Sequence, residues 1–171
     1  YLPLRAENAF MPELEGVPSD VAGRANLLFL NYPNNPTGAV VAPGFFERAV
    51  EFARATDLIV IHDNACSEVA FEGYEPPSFL ATEGAKDVGD EIFWLTKGWN
   101  MTGWRVGWLI GPPAVVALAT NLQSHSTPNV ANVSQHAALA AVSGDLVAVV
   151  VMRTAFARRG ATMHSMLSAV D

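Results

Sequence analysis

A lysine and an arginine in the segment WLTKGWNMTGWRVG are the first residues whose types and spacing indicate chemistry. Lys97 follows a short apolar run, and Arg105 comes eight residues after it. A lysine that forms a Schiff base needs apolar surroundings that lower its pKa, and an arginine nearby can bind a phosphate through two parallel hydrogen bonds. Glycines at 98, 103 and 107 would let the backbone approach closely to another group. The alternative is an ordinary lysine that faces solvent.

Two more polar residues follow apolar runs in the same way. Asp63 ends the segment DLIVIHD, and Asn35 lies in the turn NYPNNPTG, directly after the run LLFL. Pro36 fixes its own φ and favours an extended conformation for Asn35, so the asparagine side chain is held in one direction. The alternatives are an aspartate that only caps the next turn and a turn with no role beyond structure.

Alternating strands and helices must position these residues. We predict strands at residues 27–32, 57–63, 92–95 and 106–110 and helices at 42–56, 112–124, 130–142 and 146–170. This order predicts the α/β class, with a three-layer α/β/α arrangement around a mostly parallel sheet. The run at 57–63 is apolar through its middle, which is typical of a strand covered on both faces. Ligands bind beyond the carboxyl ends of such strands, where Asn35, Asp63 and Lys97 are expected to meet.

Composition narrows the classes of partner. The chain has 171 residues and a formal net charge of -7, and a negatively charged protein is a poor partner for nucleic acid. The longest apolar run, 146–152, is far shorter than the roughly 18 residues of a membrane span. One cysteine, Cys66, favours a reducing compartment, the cytoplasm. The four histidines have no metal-ligand spacing, so we predict structural histidines and no metal site.

Together these segments resemble the class I/II aminotransferases, fold-type-I enzymes of the aspartate aminotransferase-like superfamily that depend on pyridoxal 5'-phosphate. NYPNNPTGAV resembles the family's N-P-x-N-P-T-G loop, HDNACSEVAFEG its Asp-x-x-Tyr strand end, and LTKGWNMTGWRVGW its S-x-S-K…R segment. Within the superfamily, the sequences of these three motifs are most similar to those of the diaminopimelate-type aminotransferases. The resemblance implies a homodimer that moves an amino group between an amino acid and a 2-oxo acid, in diaminopimelate/lysine or aspartate-family metabolism.

The resemblance also implies a role for each matching residue. Lys97 would bind the cofactor covalently and then move the α-proton of the substrate. Asp63 would pair with the pyridine nitrogen, which keeps the ring an electron sink. Asn35 would donate its amide to the phenolic oxygen of the cofactor. Arg105 would bind the phosphate, with Thr96 assisting.

Two positions depart from the family pattern. Cys66 stands where the motif usually has a tyrosine that bonds the cofactor, and Trp94 stands where a phosphate-binding serine is usual. These changes leave open a non-catalytic α/β domain that keeps the loops but has lost the activity. Another alternative is the sensing domain of a transcription regulator, where the same fold binds the cofactor without turnover. A cysteine-sulfur lyase is a further alternative, since the fold supports several reactions of one cofactor.

The resemblance places the whole of 1–171 in the central part of the family's large domain. Its N-terminal segment, with the glycine-containing phosphate loop and the aromatic residue that stacks on the ring, would lie upstream. Its C-terminal small domain, with the arginine that binds the substrate carboxylate, would lie downstream. We therefore expect a partial cofactor-binding domain that is inactive by itself.

Overall fold

The computed structural model describes residues 1–127 and 129–170. Within these residues four strands form one sheet, in the spatial order β1-β2-β3-β4. The strands are β1 (Leu27–Asn31), β2 (Ile59–Asp63), β3 (Gly89–Trp94) and β4 (Gly107–Ile110). The first three are parallel, and β4 runs antiparallel to β3. The predicted α/β class, a three-layer α/β/α fold with a mostly parallel sheet, is confirmed.

Helices connect and follow the strands, and the longer ones match the predictions. Helix α2 begins at Phe45 rather than at residue 42, because Gly44 precedes it with a φ of 77°. Leu95 was predicted to end a strand but begins a one-turn helix instead. The helices are α1 (Ser19–Ala22), α2 (Phe45–Thr56), α3 (Ala85–Val88), α4 (Leu95–Gly98), α5 (Pro113–Ser126), α6 (Asn132–Ser143) and α7 (Val147–Leu167).

The core lies between α2 and one face of the sheet. Helix α2 buries Phe45, Phe46, Ala49, Val50 and Ala53, which recur at the spacing of one helix face. They pack with the buried residues of the strands and of the segment before β3, including Leu28, Leu30, Val60 and Phe79. This packing fixes the register of β1 and β2, since a shift by one residue would turn the apolar side chains away from the helix.

The opposite face of β1 is open. Leu27 and Phe29 are 57% and 61% exposed, although the apolar run predicted a buried strand. Burial alternates from residue to residue along this apolar run, because α2 covers only the side on which Leu28 and Leu30 lie. A cavity of about 900 Å³ borders the uncovered side. The prediction of burial was therefore wrong for half of this strand.

No single helix among the described residues is long and apolar enough to cross a membrane. Helices α6 and α7 reach the required length and composition only as a pair, and they meet at a bend of 85°.

Candidate active site

The five predicted site residues line one cavity, the one that borders β1. Asn35 lies in the loop after β1, Asp63 ends β2, and Lys97 lies in α4 directly after β3. Cys66 follows Asp63 by one turn, and Arg105 precedes β4. The parallel strands bring the first three to one edge of the sheet, as their carboxyl ends must.

Arg105 reaches the same edge because β4 is antiparallel. The first residue of β4, Gly107, pairs with Trp94, the last residue of β3. A parallel fourth strand would place the residues before it at the opposite edge. Arg105 has a left-handed backbone, with a φ of 55°, and its Nη1 donates to the carbonyl oxygen of Thr102 over 3.2 Å. Its guanidinium is otherwise exposed at the cavity.

The asparagine-rich turn divides its amides between structure and cavity. Asn31 accepts a hydrogen bond at Oδ1 from the backbone N–H of Asn35 over 2.9 Å. Asn34 donates to the carbonyl oxygen of Asn31 and accepts from the hydroxyl of Thr37 over 2.6 Å. The Asn35 side chain is exposed, and among the described residues it forms no side-chain hydrogen bond. Of the three amides, only that of Asn35 is left for a ligand in the cavity.

Asn31 also joins this turn to Asp63. Its Nδ2 donates to the carbonyl oxygen of Asp63 over 3.0 Å, while its Oδ1 holds Asn35. No role for Asn31 was predicted from the sequence. A signal was present, because a polar residue at the end of an apolar strand faces the edge where the other site residues meet.

Asp63 caps a turn and also borders the cavity. One carboxylate oxygen, Oδ1, accepts a hydrogen bond from the backbone N–H of Ala65 over 3.1 Å, so the residue does cap the turn after β2. The side chain is also half-buried and borders the cavity. The capping bond holds the carboxylate in place, and Oδ2 accepts nothing from the described residues.

Lys97 stands on a short helix that is anchored on both sides. Leu95 is buried, and Gly98 lies so close to Glu68 that an added Cβ would be 2.5 Å from the Glu68 Cβ. The Lys97 side chain is exposed at the cavity. The expected apolar enclosure is not formed by the described residues. Trp99, two residues later, donates from Nε1 to the carbonyl oxygen of Ala141 over 3.0 Å.

Trp94 is accommodated by a glycine on the neighbouring strand. A Cβ on Gly107 would lie 2.6 Å from the carbonyl oxygen of Phe93 and 3.2 Å from Cε3 of Trp94. The close approach predicted for glycines is thus confirmed at 98 and 107. It was wrong for Gly103, which has no described atom within 4 Å of the Cβ position.

Cys66 is half-buried beside two charged residues of the site. Burial raises the pKa of its thiol, the positive charge of Lys97 opposes that rise, and the negative charge of Asp63 adds to it. The charges of both groups therefore affect the pKa of the Cys66 thiol. As a weak hydrogen-bond donor, it replaces the phenol of the family motif only in part.

The groups at this cavity fit pyridoxal phosphate. They comprise a carboxylate for a ring nitrogen, an amide donor for a phenolic oxygen, an amine for a carbonyl group and a guanidinium for a phosphate. The Thr96 hydroxyl also borders the cavity. It is a hydrogen-bond donor close to Trp94, which stands where the family usually has a serine hydroxyl. The donor set thus agrees with the cofactor that the sequence motifs imply.

Comparison with known proteins decides the family. The family profile described as aminotransferase class I and II matches residues 1–171. The chain belongs to this aminotransferase family. Among curated relatives, the LL-diaminopimelate aminotransferase of Moorella thermoacetica is 46% identical over 159 residues. That of Desulforudis audaxviator is 49% identical over 143 residues.

The aminotransferase chain spans only part of these relatives. The two alignments cover 93% and 84% of the chain but 41% and 36% of the respective relatives.

Solved structures of other proteins share the fold. A probable N-succinyldiaminopimelate aminotransferase from Thermus thermophilus superposes with a TM-score of 0.89 at 34% identity, covering 99% of this chain and 45% of that one. Substrate-bound BacF from Bacillus subtilis gives 0.88 at 37% identity, covering 92% and 40%. An aspartate aminotransferase from Thermotoga maritima gives 0.86 at 32% identity, covering 98% and 44%.

Proposed function

We propose that the complete polypeptide carrying this chain is a pyridoxal-phosphate-dependent aminotransferase that moves an amino group between an amino acid and a 2-oxo acid. The observation that supports it is the convergence of Lys97, Asp63, Asn35 and Arg105 on one cavity at the carboxyl edge of the sheet. These four groups match the four chemical features of the cofactor, and they come from three segments that are distant from one another in the chain.

Each of these residues has a task that its position supports. When bound, pyridoxal phosphate supplies an electron sink that weakens the bonds at the substrate α-carbon. The Lys97 amine would hold the cofactor covalently and move the α-proton. The Asp63 carboxylate would hold a proton on the ring nitrogen, and Asn35 would donate to the phenolic oxygen. The Arg105 guanidinium would bind the phosphate as a bidentate donor.

The relatives guide the proposal for substrate and assembly. Those named LL-diaminopimelate aminotransferase support an amino donor from diaminopimelate/lysine or aspartate-family metabolism. The chain would form the central part of the large domain in a homodimer, with the rest of the site supplied by segments outside it. The proposed location is the cytoplasm, because a single cysteine favours a reducing compartment.

Reduction with borohydride followed by peptide mapping tests the proposal in the complete polypeptide loaded with pyridoxal phosphate. The pyridoxyl group should be found on Lys97 and should vanish in Lys97→Ala. Lys86→Ala, at an exposed lysine of α3, is the matched control and should keep the label. A label on another lysine, or none, would contradict the proposal.

A second function, cofactor binding without turnover, is favoured by Trp94 and Cys66. The indole and the thiol replace two groups that touch the cofactor in the family pattern. Mixing the loaded polypeptide with a candidate amino donor and following cofactor absorbance distinguishes the two functions. Amino transfer to the cofactor within one turnover supports the aminotransferase, whereas unchanged absorbance with every amino donor tried supports the sensor.

A further inference from the structure

Behind the candidate site, on the face of the sheet that packs against α2, lies a buried ionisable pair. His62 and Glu91 are both fully buried, and His62 Nδ1 lies 2.9 Å from Glu91 Oε1. Aromatic rings surround the imidazole: its centroid is 4.9 Å from that of Phe46 and 6.5 Å from that of Phe79. Such surroundings disfavour charge unless the charged groups are paired and hydrogen-bonded.

Glu91 meets that requirement by accepting hydrogen bonds at both oxygens. Oε1 accepts from His62 Nδ1, from Asn64 Nδ2 over 2.8 Å and from the backbone N–H of Phe79 over 3.1 Å. Oε2 accepts from the hydroxyl of Ser78 and from the backbone N–H of Leu80. Every partner can donate a hydrogen bond, and such an environment stabilises an ionised carboxylate.

The charge on Glu91 survives burial for this reason. Burial alone would raise the pKa of Glu91, but the hydrogen bonds from His62 and Ser78, the charge of His62 and the backbone bond from Phe79 together lower it. The carboxylate is therefore ionised at neutral pH.

The partners of His62 define its protonation. Nδ1 faces the Glu91 carboxylate, and Nε2 faces the carbonyl oxygen of Tyr32 over 3.0 Å. Both neighbours are acceptors, so both ring nitrogens must carry a hydrogen for both contacts to form. These contacts suit an imidazolium, which would make the two residues a buried ion pair.

This ion pair links three adjacent strands immediately behind the site. Tyr32 directly follows β1, His62 lies in β2 and Glu91 lies in β3. Successive strand residues point to opposite faces, so His62 and Asn64, which flank Asp63, are held by Glu91 while Asp63 borders the cavity. The Tyr32 carbonyl held by His62 belongs to the turn that carries Asn35.

We propose that Glu91, through its ion pair with His62, is a positioning residue that sets Asp63 and the Asn35 turn at their places in the cofactor site. This inference rests on the proposed function, because it concerns the same cofactor. Neither residue touches the cavity; both act through the main chain of the residues that do. Glu91 provides the anion, and His62 transmits its position to the turn after β1.

Glu91→Gln is the test variant because it removes the charge and keeps an acceptor. The Gln side chain can retain Oε1 for His62, Asn64 and Phe79 and can donate from Nε2 to the Ser78 hydroxyl. Without the anion His62 loses its counterion, and one of its two contacts must be lost when the ring becomes neutral. Glu51→Gln, at an exposed glutamate of α2, is the matched control.

Pyridoxal phosphate itself is the probe, with the complete polypeptide. In Glu91→Gln its dissociation constant should rise about 10- to 100-fold, the range found in metal sites when residues that orient the direct ligands are removed. The absorbance of the bound cofactor should also show a changed pH dependence, because Asp63 no longer lies in register with the ring. A lower unfolding temperature, with affinity and absorbance profile equal to those of Glu51→Gln, would overturn the proposal.

A second measurement uses the unsubstituted polypeptide, and the variant His62→Gln serves only to assign the His62 signals. Nitrogen-15 NMR of histidine-labelled polypeptide, assigned with His62→Gln, should show both ring nitrogens of His62 protonated at pH 7. A neutral ring would overturn the inference even if Glu91→Gln failed to fold. If the unsubstituted polypeptide bound no pyridoxal phosphate, the proposed function would fail as well, whereas binding with an unaffected Glu91→Gln variant would overturn this inference alone.

Discussion

The side-chain amide of Asn31 donates a hydrogen bond of 3.0 Å to the main-chain carbonyl oxygen of Asp63. Its oxygen accepts from the backbone N–H of Asn35 over 2.9 Å. One side chain thus sets the distance between the residue proposed for the ring nitrogen and the residue proposed for the phenolic oxygen. The two have no direct hydrogen bond to each other among the described residues.

Asn31→Ala should weaken binding of pyridoxal phosphate and destabilise the fold. Each lost hydrogen bond contributes about 0.5–1.5 kcal/mol, so removing both should lower stability by about 1–3 kcal/mol. Fluorescence titration with the cofactor and a thermal unfolding midpoint measure the two effects. Asn26→Ala, at an exposed asparagine before β1, serves as the control. Equal affinities of the two variants would show that Asn31 does not align the site.

Asp63→Asn separates the capping role of Asp63 from its charge. An asparagine keeps an acceptor for Ala65 but has no negative charge for the ring nitrogen. At about 4 Å and an effective dielectric of about 20, that charge is worth about 4 kcal/mol. We expect kcat to fall about a thousandfold, since roughly 1.4 kcal/mol corresponds to a factor of ten. Steady-state kinetics that showed near-normal turnover would leave Asp63 with the cap alone.

Trp94→Ser should tighten cofactor binding. The hydroxyl would add one donor near the phosphate, worth about 0.5–1.5 kcal/mol, or roughly two- to tenfold in affinity. The indole contact with Gly107 would be lost, so the unfolding temperature should fall. Trp104→Ser, at an exposed tryptophan that does not border the cavity, is the control. Weaker binding by Trp94→Ser would show instead that the indole supports the cofactor.

Cys66 should react slowly with iodoacetamide at pH 8. Burial raises the pKa of its thiol above the ordinary value of 9.0, so the reactive thiolate is scarce until the pH exceeds that value. Mass spectrometry of the Cys66 peptide over a pH series measures the rate, with the urea-unfolded polypeptide as reference. Pyridoxal phosphate should slow the reaction further. A rate equal to that of the unfolded reference would place Cys66 outside the cavity.

Glu91 should make the fold sensitive to acid. Its pKa in the folded state lies below the ordinary value of 4.5, so its contribution is present above pH 4.5 and is lost as pH falls from 4.5 through the lowered pKa. Calorimetric unfolding midpoints should therefore differ between the unsubstituted polypeptide and Glu91→Gln at pH 7. The difference should shrink below pH 4.5, and a constant difference across the series would contradict the assignment.

The neighbouring carboxyl group, that of Asp90, should affect the stability of the fold with the opposite dependence on pH. Asp90 is fully buried, and neither of its carboxylate oxygens has a hydrogen-bond partner among the described residues. Burial raises its pKa from the ordinary value of 3.8, so ionisation opposes folding as pH rises above 3.8. Asp90→Asn should accordingly raise the midpoint at pH 7 and have little effect near pH 4.

Much of the site was predictable because parallel strands obey a simple rule. Residues after successive apolar runs must meet at one edge, and this rule predicts from the sequence that Asn35, Asp63 and Lys97 lie together. The sequence also predicted the structural role that the contacts of His62 confirm. Arg105 was assigned through its motif, and the antiparallel direction of β4, which explains its place, was not anticipated.

The remaining features depend on contacts between distant segments. Asn31 and Glu91 are ordinary polar residues in their local sequence, and their roles arise from partners on other strands. The apolar run at the start of β1 does not reveal that only one of its faces is covered. For that reason Leu27 and Phe29 were expected to be buried and are not. Local sequence patterns show the periodicity of apolar residues, whereas the burial of a strand face depends on which other segments of the chain pack against it.

The cross-strand bonds also have a kinetic consequence. Asn31 and Asp63 are 32 residues apart in the chain, and His62 and Glu91 are 29 apart. No short stretch of polypeptide brings Asn35, Asp63 and Lys97 together, since each of these cross-strand connections closes a long loop before it contributes to the site. Strand association must therefore precede the appearance of any affinity for pyridoxal phosphate. During refolding, cofactor capture would be a late event, and its rate would report the pairing of β1, β2 and β3 rather than the formation of any helix.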